Sequence, residues 1–204
     1  NNRSFVLKNY ISGDFFQKEI MTKHLNKLNE IRIVAVGNIQ KQKNYIYLVK
    51  AFQYLKNYRI SLDIYGIEDE DFNNLNEEID RYKLPIVFKG SSANINEVLP
   101  NYDIYVMPSL YEGFGIAVVE AMASGLPLLL SDLPVFHEVT FNNALFFDVK
   151  DTMSFVELIK DIFEEKYDLN QLSLKGVEIA NQNYTKEIYL KKLFAIYEKT
   201  IILP

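Results

Sequence analysis

The sequence has 204 residues, 49% of them hydrophobic, and a net charge of −5 from 22 basic and 27 acidic side chains. A chain of this length and hydrophobicity can bury a substantial core, which excludes general disorder, and its acidic balance argues against a broad nucleic-acid surface. It has no cysteine, which excludes disulfides and thiolate metal sites, and two histidines, His24 and His137, are too few for a histidine-rich zinc site.

Along the chain, residues 1–30 form an entry segment with a turn at 12–14, and an alternation of predicted strands and helices begins at residue 31. Strands are predicted where short, continuous apolar runs end near a glycine or a polar residue, and helices where apolar residues recur at helical spacing. The predicted strands are 31–37, 60–66, 85–90, 103–109, 126–132 and 143–148. The predicted helices are 44–58, 68–83, 94–101, 116–124, 152–166, 169–183 and 185–203.

This alternation predicts the fold class. Strands that alternate with helices form right-handed crossovers and a mostly parallel sheet, and continuous apolar strands are typical of a sheet covered on both faces. We therefore expect an α/β fold in which residues 31–204 form one domain: a doubly wound sheet of about six strands, helices on both faces and a helical C-terminus. Ligands of such sheets bind beyond the carboxyl ends of the strands.

The stretch YEGFGIAVVEAMASGLP, residues 111–127, lies at that edge of the sheet. A helix that begins near Gly115 or Ile116 offers unpaired amide groups and a positive dipole end, which bind phosphate. The carboxylates of Glu112 and Glu120 would repel phosphate, but they can accept hydrogen bonds from the hydroxyl groups of a sugar. A ribose on one side of the phosphates and a hexose on the other would match a nucleotide-sugar.

The alternative explanation is that the two acids only offset the helix dipole. Glu120 argues against it, because this helix is apolar almost all round and a charge there must face a cleft or a partner. The loop VGNIQKQKN offers a second phosphate-binding element, with Gly37 at the end of a strand and Lys43 at the start of a helix. Most surface lysines are merely solvated, and Lys41 is equally available by composition.

Taken together, these stretches resemble the C-terminal, donor-binding domain of retaining glycosyltransferases with the GT-B fold, family 4, also called glycosyl transferases group 1. The resemblance runs over residues 4–197. It is carried by VLKNYISGDFF, VGNIQKQKNYIYLVKAF, LDIYG, VFKG and NYDIYVMPSLYEGFGIAVVEAMASGLPLLLSD, in the family's order and spacing. Glu112 and Glu120 have seven residues between them, as in the E-x7-E motif of the family.

The resemblance implies a role for each matching residue. Glu112 and Lys43 would be the catalytic pair: Glu112 holds hydroxyls of the transferred sugar, and Lys43 contacts the diphosphate. Glu120 would accept hydrogen bonds from the ribose. The remaining donor-binding residues would act largely through their backbone; they are Gly37, Asn38, Lys89, Gly90, Ser91, Gly113, Phe114, Gly115, Ile116 and Ala117.

Four further positions or stretches need separate comment. The family usually carries an arginine where this chain has Asn38, so the charge that stabilises the leaving group would rest on Lys43 and the helix N-terminus. Glu138 lies where the family often has a glutamate after the fifth strand. The adjacent acids at 69–71 are interpreted as a solvated loop and helix start, not as a metal site. His137 has either a packing or surface role or lies near the donor sugar.

The resemblance also implies what accompanies this domain. The donor would be a nucleoside diphosphate sugar, UDP- or GDP-linked, with no metal or other cofactor required. The acceptor would bind an N-terminal domain of roughly 150–200 further residues, without which we expect no transfer. Without that domain, the last predicted helix would expose apolar surface.

We also expect no nucleic-acid partner. No apolar run reaches the roughly 20 residues of a membrane span, and no signal peptide is evident. We therefore expect a cytoplasmic protein with peripheral contact at the inner face of the membrane, because some relatives use lipid-linked acceptors. Two alternatives stay open, a non-catalytic nucleotide-binding module and a sugar-nucleotide epimerase of GT-B architecture.

Overall fold

A computed structural model describes residues 5–16, 29–69 and 72–201, and it contains a six-stranded sheet in the order β3-β2-β1-β4-β5-β6. Every neighbouring pair of strands is parallel. The strands are β1 Ile31–Val36, β2 Ile60–Tyr65, β3 Ile86–Gly90, β4 Ile104–Met107, β5 Leu128–Ser131 and β6 Leu145–Phe147. All six predicted strands are confirmed, as is the doubly wound α/β fold.

Helices connect the strands and cover both faces of the sheet. They are α1 Tyr45–Phe52, α2 Phe72–Tyr82, α3 Ile95–Val98, α4 Ile116–Ala123, α5 Pro134–Thr140, α6 Thr152–Phe163, α7 Leu169–Asn183 and α8 Lys186–Ile201. One core lies between the sheet and α1, α2 and α6, and a second lies between the sheet and α4, α5 and α7. The side chains of neighbouring residues in one strand pack into opposite cores, as those of Ile33 and Val34 do in β1. This is why the strands are continuously apolar.

Two helices differ from the sequence prediction. The first predicted helix, 44–58, ends at Phe52, because Leu55 turns into the core and the chain closes into tighter turns. The helix Pro134–Thr140 was not predicted. It has seven residues and owes its stability to the burial of Phe136 and Val139 in the second core, which a short segment does not reveal by its periodicity.

The N-terminal segment and the last helix lie outside the sheet. Ile11 and Phe15 pack into the second core, and the Ile11 amide donates to the Tyr184 carbonyl. Phe194 and Tyr197 of α8 are exposed, in line with the expected apolar surface. The domain boundary near residue 30 remains a prediction, since residues 17–28, including His24, lie outside the described residues. None of the described helices combines the length and apolar character that a bilayer span requires.

Candidate functional site

The candidate site lies where the strand order reverses. The chain proceeds from β1 to β2 and β3 on one side and from β4 to β6 on the other, so β1 and β4 are neighbours at the switch point of the sheet. The loops that leave these two strands lie at the carboxyl edge of the sheet, where doubly wound sheets bind their ligands. The loop at 37–44 and the loop at 108–115 therefore form the site together.

The 37–44 loop is held against the end of β2 by backbone contact. The Gly37 amide donates to the Tyr65 carbonyl at 2.8 Å, and the Ile39 amide donates to the Ile67 carbonyl at 3.0 Å. A Cβ on Gly37 would lie 2.8 Å from Lys43 Cε, so a side chain there would push the lysine aside. Asn38, which replaces the usual arginine, is exposed, and its Oδ1 accepts from the Ile67 amide at 3.3 Å.

Three hydrogen bonds join the 37–44 loop to the segment after β4. The Leu110 amide donates to the Gln42 carbonyl at 2.9 Å, and Gln42 Nε2 donates to the Tyr111 carbonyl at 2.9 Å. Asn44 Nδ2 donates to the Pro108 carbonyl at 3.1 Å. Asn44 itself adopts the left-handed conformation, with φ of 55°, which asparagine tolerates better than most residues. These contacts fix the relative positions of Lys43 and Glu112.

Lys43 and Glu112 form an ion pair across the two loops. Lys43 Nζ lies 2.5 Å from Glu112 Oε1, and the two side chains are 17% and 9% exposed. Ser109 Oγ donates to the same carboxylate oxygen at 3.0 Å. The structure thus brings together the two residues predicted to be catalytic, 69 positions apart in the chain, and leaves Glu112 Oε2 without a protein donor among the described residues.

The N-terminus of α4 directly follows the 108–115 loop and carries unpaired amides. Gly115 caps the helix in the left-handed conformation, with φ of 79°, and a Cβ there would lie 3.0 Å from the Phe136 ring. In the described part of the chain, no protein acceptor pairs with the amides of Phe114, Gly115, Ile116 and Ala117. These amides lie at the N-terminus of an eight-residue helix, where unpaired amides can bind an anion, and their binding of phosphate stays a prediction.

Glu120 lies one turn into α4 and is half-buried. Burial raises the pKa of its carboxyl group above the ordinary value of 4.5. No hydrogen-bond donor of the described residues pairs with this carboxylate. A partly desolvated acceptor without a partner is suited to bind the hydroxyl groups of a ligand.

Tyr105 of β4 is fully buried and close enough to Glu112 and Glu120 for both charges to act on its hydroxyl. Burial raises the pKa of its hydroxyl well above the ordinary value, and so do, in smaller measure, Tyr45 and then the charges of Glu120 and Glu112. The backbone of Val36 is near enough to oppose part of this shift, but it does not meet hydrogen-bond geometry, so the Tyr105 hydroxyl has no partner among the described residues.

The predicted edge of the base pocket, residues 89–91, lies at the end of β3. Gly90 has φ of 70°, and its carbonyl accepts from the Gly66 amide at 3.0 Å, which ties this turn to the loop after β2. Lys89 is exposed, and its Nζ lies 3.6 Å from Asp63. Asp63 also accepts from the Tyr102 hydroxyl at 2.6 Å. Ser91 is exposed at this turn.

The two residues beyond β5 are engaged in local contacts. His137 Nε2 lies 2.6 Å from Asp132 Oδ1 and Nδ1 lies 2.7 Å from Asn142 Oδ1, while the ring stacks on Phe146. The hydrogen bond with Asp132, followed by that with Asn142, raises the pKa of His137. Glu138 pairs with Lys8 at 3.0 Å. These contacts match the packing or surface role considered for His137.

Sequence reasoning missed four contributors to the site: Ser109, Gln42, Asn44 and Tyr105. The sequence contained weak signals of three of them. Gln42 and Asn44 are polar residues on either side of Lys43, and Ser109 lies three positions before Glu112. The pairing of these residues depends on which strands become neighbours, which local sequence does not reveal. From the sequence, Tyr105 could be interpreted only as a core residue, because the apolar pattern of its strand does not show whether its hydroxyl has a hydrogen-bond partner.

Cavities elsewhere contain none of the predicted site residues. One of about 430 Å³ lies beside α7 and is lined by Phe141, Asn142 and Lys175, among others. Another of about 250 Å³ lies between the N-terminal segment and α8. We place the site at the switch point because its polar groups converge there. Among residues 5–16, 29–69 and 72–201, no group of three or more histidine or acidic side chains is arranged to hold a metal ion.

Comparison with known proteins shows which family the chain belongs to. The Salmonella typhimurium O-antigen chain mannosyltransferase RfbU is 53% identical over 57 residues, which are 28% of this chain and 16% of that protein. A Rickettsia africae glycosyltransferase structure superposes with a TM-score of 0.84 at 18% identity, covering 98% of this chain and 58% of that one.

Anabaena HepE in complex with UDP and glucose superposes with a TM-score of 0.76 at 18% identity, covering 84% of this chain and 49% of that one. The present chain thus spans less than two thirds of each of these proteins. Residues 16–178 match the family described as glycosyl transferases group 1, and the chain belongs to that family.

Proposed function

We propose that this chain is the donor-binding domain of a retaining glycosyltransferase that moves a sugar from a nucleoside diphosphate sugar to a glycan, lipid-linked or polysaccharide acceptor. The observation that carries the proposal is the position of Lys43, Glu112 and the free α4 amides at the carboxyl edge of the sheet, at its switch point. The HepE complex, which holds UDP and glucose on the same fold, supports a nucleotide-sugar ligand.

The proposed chemistry divides between charge stabilisation and orientation. Lys43 and the amides at 114–117 stabilise the negative charge that develops on the leaving diphosphate, the lysine through its charge and the amides because they are held in place before reaction. Glu112 accepts hydrogen bonds from hydroxyls of the transferred sugar through Oε2, and Glu120 accepts from the ribose. Asn38 adds no charge, so the stabilisation of the leaving group depends on Lys43 more than in relatives that carry arginine.

The base and the acceptor are bound by other elements. The turn at 89–91 borders the base through backbone groups, and a further domain of the complete enzyme supplies the acceptor. The exposed apolar residues of α8 face that domain, and this chain alone binds the donor without transferring sugar. The enzyme acts in the cytoplasm at the inner face of the membrane, where lipid-linked acceptors are available.

Calorimetry of UDP, GDP, ADP, UDP-glucose and GDP-mannose binding tests the proposal. We expect one nucleotide to bind, with Lys43→Ala weakening it at least about tenfold through loss of a charge-assisted contact. Lys50→Ala, which removes an exposed lysine of α1, is the matched control and should change nothing. Glu112→Gln should abolish the extra affinity that the sugar provides while nucleotide binding is retained.

Two outcomes would reject parts of the proposal. Equal affinity for nucleotide and sugar-nucleotide, both before and after Glu112→Gln, rejects the sugar role of Glu112 and favours a non-catalytic nucleotide-binding module. If no ligand binds at millimolar concentration, the same titration is made with the full-length protein. If no ligand binds there either, the proposed donor site is rejected.

A further inference from the structure

Two hydrogen-bond donors share one oxygen of Glu112. Lys43 Nζ and Ser109 Oγ both contact Oε1, at 2.5 and 3.0 Å. The lysine predicted to bind a diphosphate therefore directs one of the three N–H donors of its ammonium group at a carboxylate of the protein. A diphosphate that accepts from the other donors competes with Glu112 for the same positive charge.

Withdrawal of Lys43 would leave a nearly buried charge. The Glu112 side chain is only 9% exposed, so its carboxylate is largely desolvated. Removing one partner of a buried ion pair is strongly destabilising, because the remaining charge is uncompensated. Among the described residues, the donor that would remain on this carboxylate is the Ser109 hydroxyl.

The Ser109 hydroxyl is well placed to stay. Ser109 is fully buried, and its carbonyl accepts a hydrogen bond at 2.7 Å from Ser131 Oγ, which is fully buried too. The next residue, Leu110, donates its amide to Gln42. The backbone that carries Ser109 is therefore tied to β5 on one side and to the 37–44 loop on the other. A neutral hydroxyl has no charge for a diphosphate to attract, so it does not follow Lys43.

We propose that Ser109 is a positioning residue that holds Glu112 in place while an anionic diphosphate draws Lys43 away from it. The inference rests on the proposed function. Lys43 balances Glu112 in the ligand-free site and the diphosphate in the occupied site, and Ser109 keeps its hydrogen bond to Oε1 in both. Oε2 then remains free for a ligand hydroxyl throughout.

Inorganic pyrophosphate is the probe for this exchange, because it carries neither base nor sugar. We expect Ser109→Ala to weaken pyrophosphate binding several-fold, because the hydroxyl stabilises the Glu112 carboxylate more after Lys43 has left than while both donors share Oε1. Glu112→Gln should strengthen binding several-fold, since it removes the competing charge. In the Glu112→Gln background, Ser109→Ala should then alter pyrophosphate affinity by less than twofold, because no buried charge is left when Lys43 moves.

A matched control separates positioning from general stability. Ser173→Ala removes another buried serine hydroxyl, which donates to the Gly125 carbonyl at 2.6 Å, away from the ion pair. It should leave pyrophosphate affinity unchanged. A Ser173→Ala effect as large as that of Ser109→Ala, or a Ser109→Ala effect that persists in full with Glu112→Gln, would overturn the inference.

The remaining outcomes distinguish this inference from the proposed function. Pyrophosphate binding that is insensitive to Ser109 overturns the positioning role and leaves the donor site intact. Binding of UDP without any binding of pyrophosphate overturns the exchange of Lys43, again without harm to the donor site. If neither pyrophosphate nor any nucleotide binds, to this chain or to the full-length protein, both the exchange of Lys43 and the proposed function are rejected.

Discussion

Gly66 and Gly37 are in backbone contact at the carboxyl edge of the sheet. A Cβ on Gly66 would overlap the carbonyl oxygen of Gly37 and lie 2.6 Å from its carbonyl carbon. The obstruction is backbone on both sides, so no side chain can rotate away to relieve it. The close approach of these two loops, which brings the 37–44 loop into the site, therefore requires glycine at position 66.

Gly66→Ala is expected to lower the free energy of unfolding by about 2 kcal/mol, as overpacking of a rigid contact does, and to weaken nucleotide binding. Denaturant unfolding measures the first effect and calorimetry the second. Gly13→Ala is the control, since a Cβ there meets nothing within 4 Å. Equal stability of the two variants would contradict the close contact.

Tyr105→Phe should raise the free energy of unfolding by about 1 kcal/mol, because it removes a buried hydroxyl that has no partner. Tyr184→Phe is the matched comparison. That tyrosine is equally buried, but its hydroxyl donates to the Val139 carbonyl at 2.8 Å, so its removal should destabilise by about the same amount. Opposite signs in urea unfolding are the expected result; destabilisation by both substitutions would indicate a partner for Tyr105.

Glu120→Gln should stabilise the fold at pH 7 while weakening nucleotide binding. Burial raises the pKa of Glu120 in the folded state above its ordinary 4.5, so the charged form destabilises the fold at neutral pH. This penalty is absent below about pH 4.5, where both states are protonated, and develops as pH rises through the raised pKa. The stability gain of the variant should follow the same course in denaturant unfolding between pH 4 and 8.

Glu157→Gln, an exposed position of α6, is the control for Glu120→Gln and should change neither stability nor binding. A gain for Glu120→Gln that is independent of pH would show that burial of the charge is not its cause. Unchanged nucleotide affinity would exclude Glu120 from the ligand contacts.

His137 should make stability depend on pH in the opposite direction. Its pKa is raised in the folded state, chiefly by the hydrogen bond with Asp132, so its contribution is fully present below pH 6.5 and is lost as pH rises through the raised pKa. The stability difference between wild type and His137→Gln should therefore be largest at acid pH. The effect should be small and weakened by salt, because both side chains are partly exposed.

Asp132→Ala tests the cause of that pH dependence. The substitution removes both the hydrogen bond and the charge by which Asp132 raises the pKa of His137, so His137→Gln made in this background should lose most of its pH dependence. Unfolding curves at several pH values between 5 and 8 give the comparison. A pH dependence that survives unchanged would assign it to groups other than this pair.

Much of the fold could be predicted because the physics that forms it is local. Buried parallel strands are continuous apolar runs, and each of the six was recognisable on that ground. Helix ends were less predictable: α1 stops early because Leu55 is drawn into the core, and α5 depends on the burial of Phe136 rather than on its own propensity. These are tertiary effects, which periodicity does not record.

For the site, chain order and motif resemblance predicted which residues lie at the edge but not how they pair. Lys43 and Lys41 were equivalent by composition, and only the folded chain directs Lys43 to Glu112 while leaving Lys41 exposed. The Ser109 hydroxyl could not have been assigned to Glu112 from sequence, because that contact depends on side-chain rotamers. Direct contact of a substrate with any of these residues stays a prediction.

The separation of Lys43 from Glu112 by 69 positions has a consequence for how the site comes into being. During synthesis, the 37–44 loop emerges with β1, but the carboxylate that pairs with Lys43 arrives only after β2 and β3 have been made and the chain has crossed back to place β4 beside β1. Contacts of such long range form late in folding. Since a ligand that binds only the native state stabilises it by mass action, nucleotide affinity should serve as a reporter of completed folding.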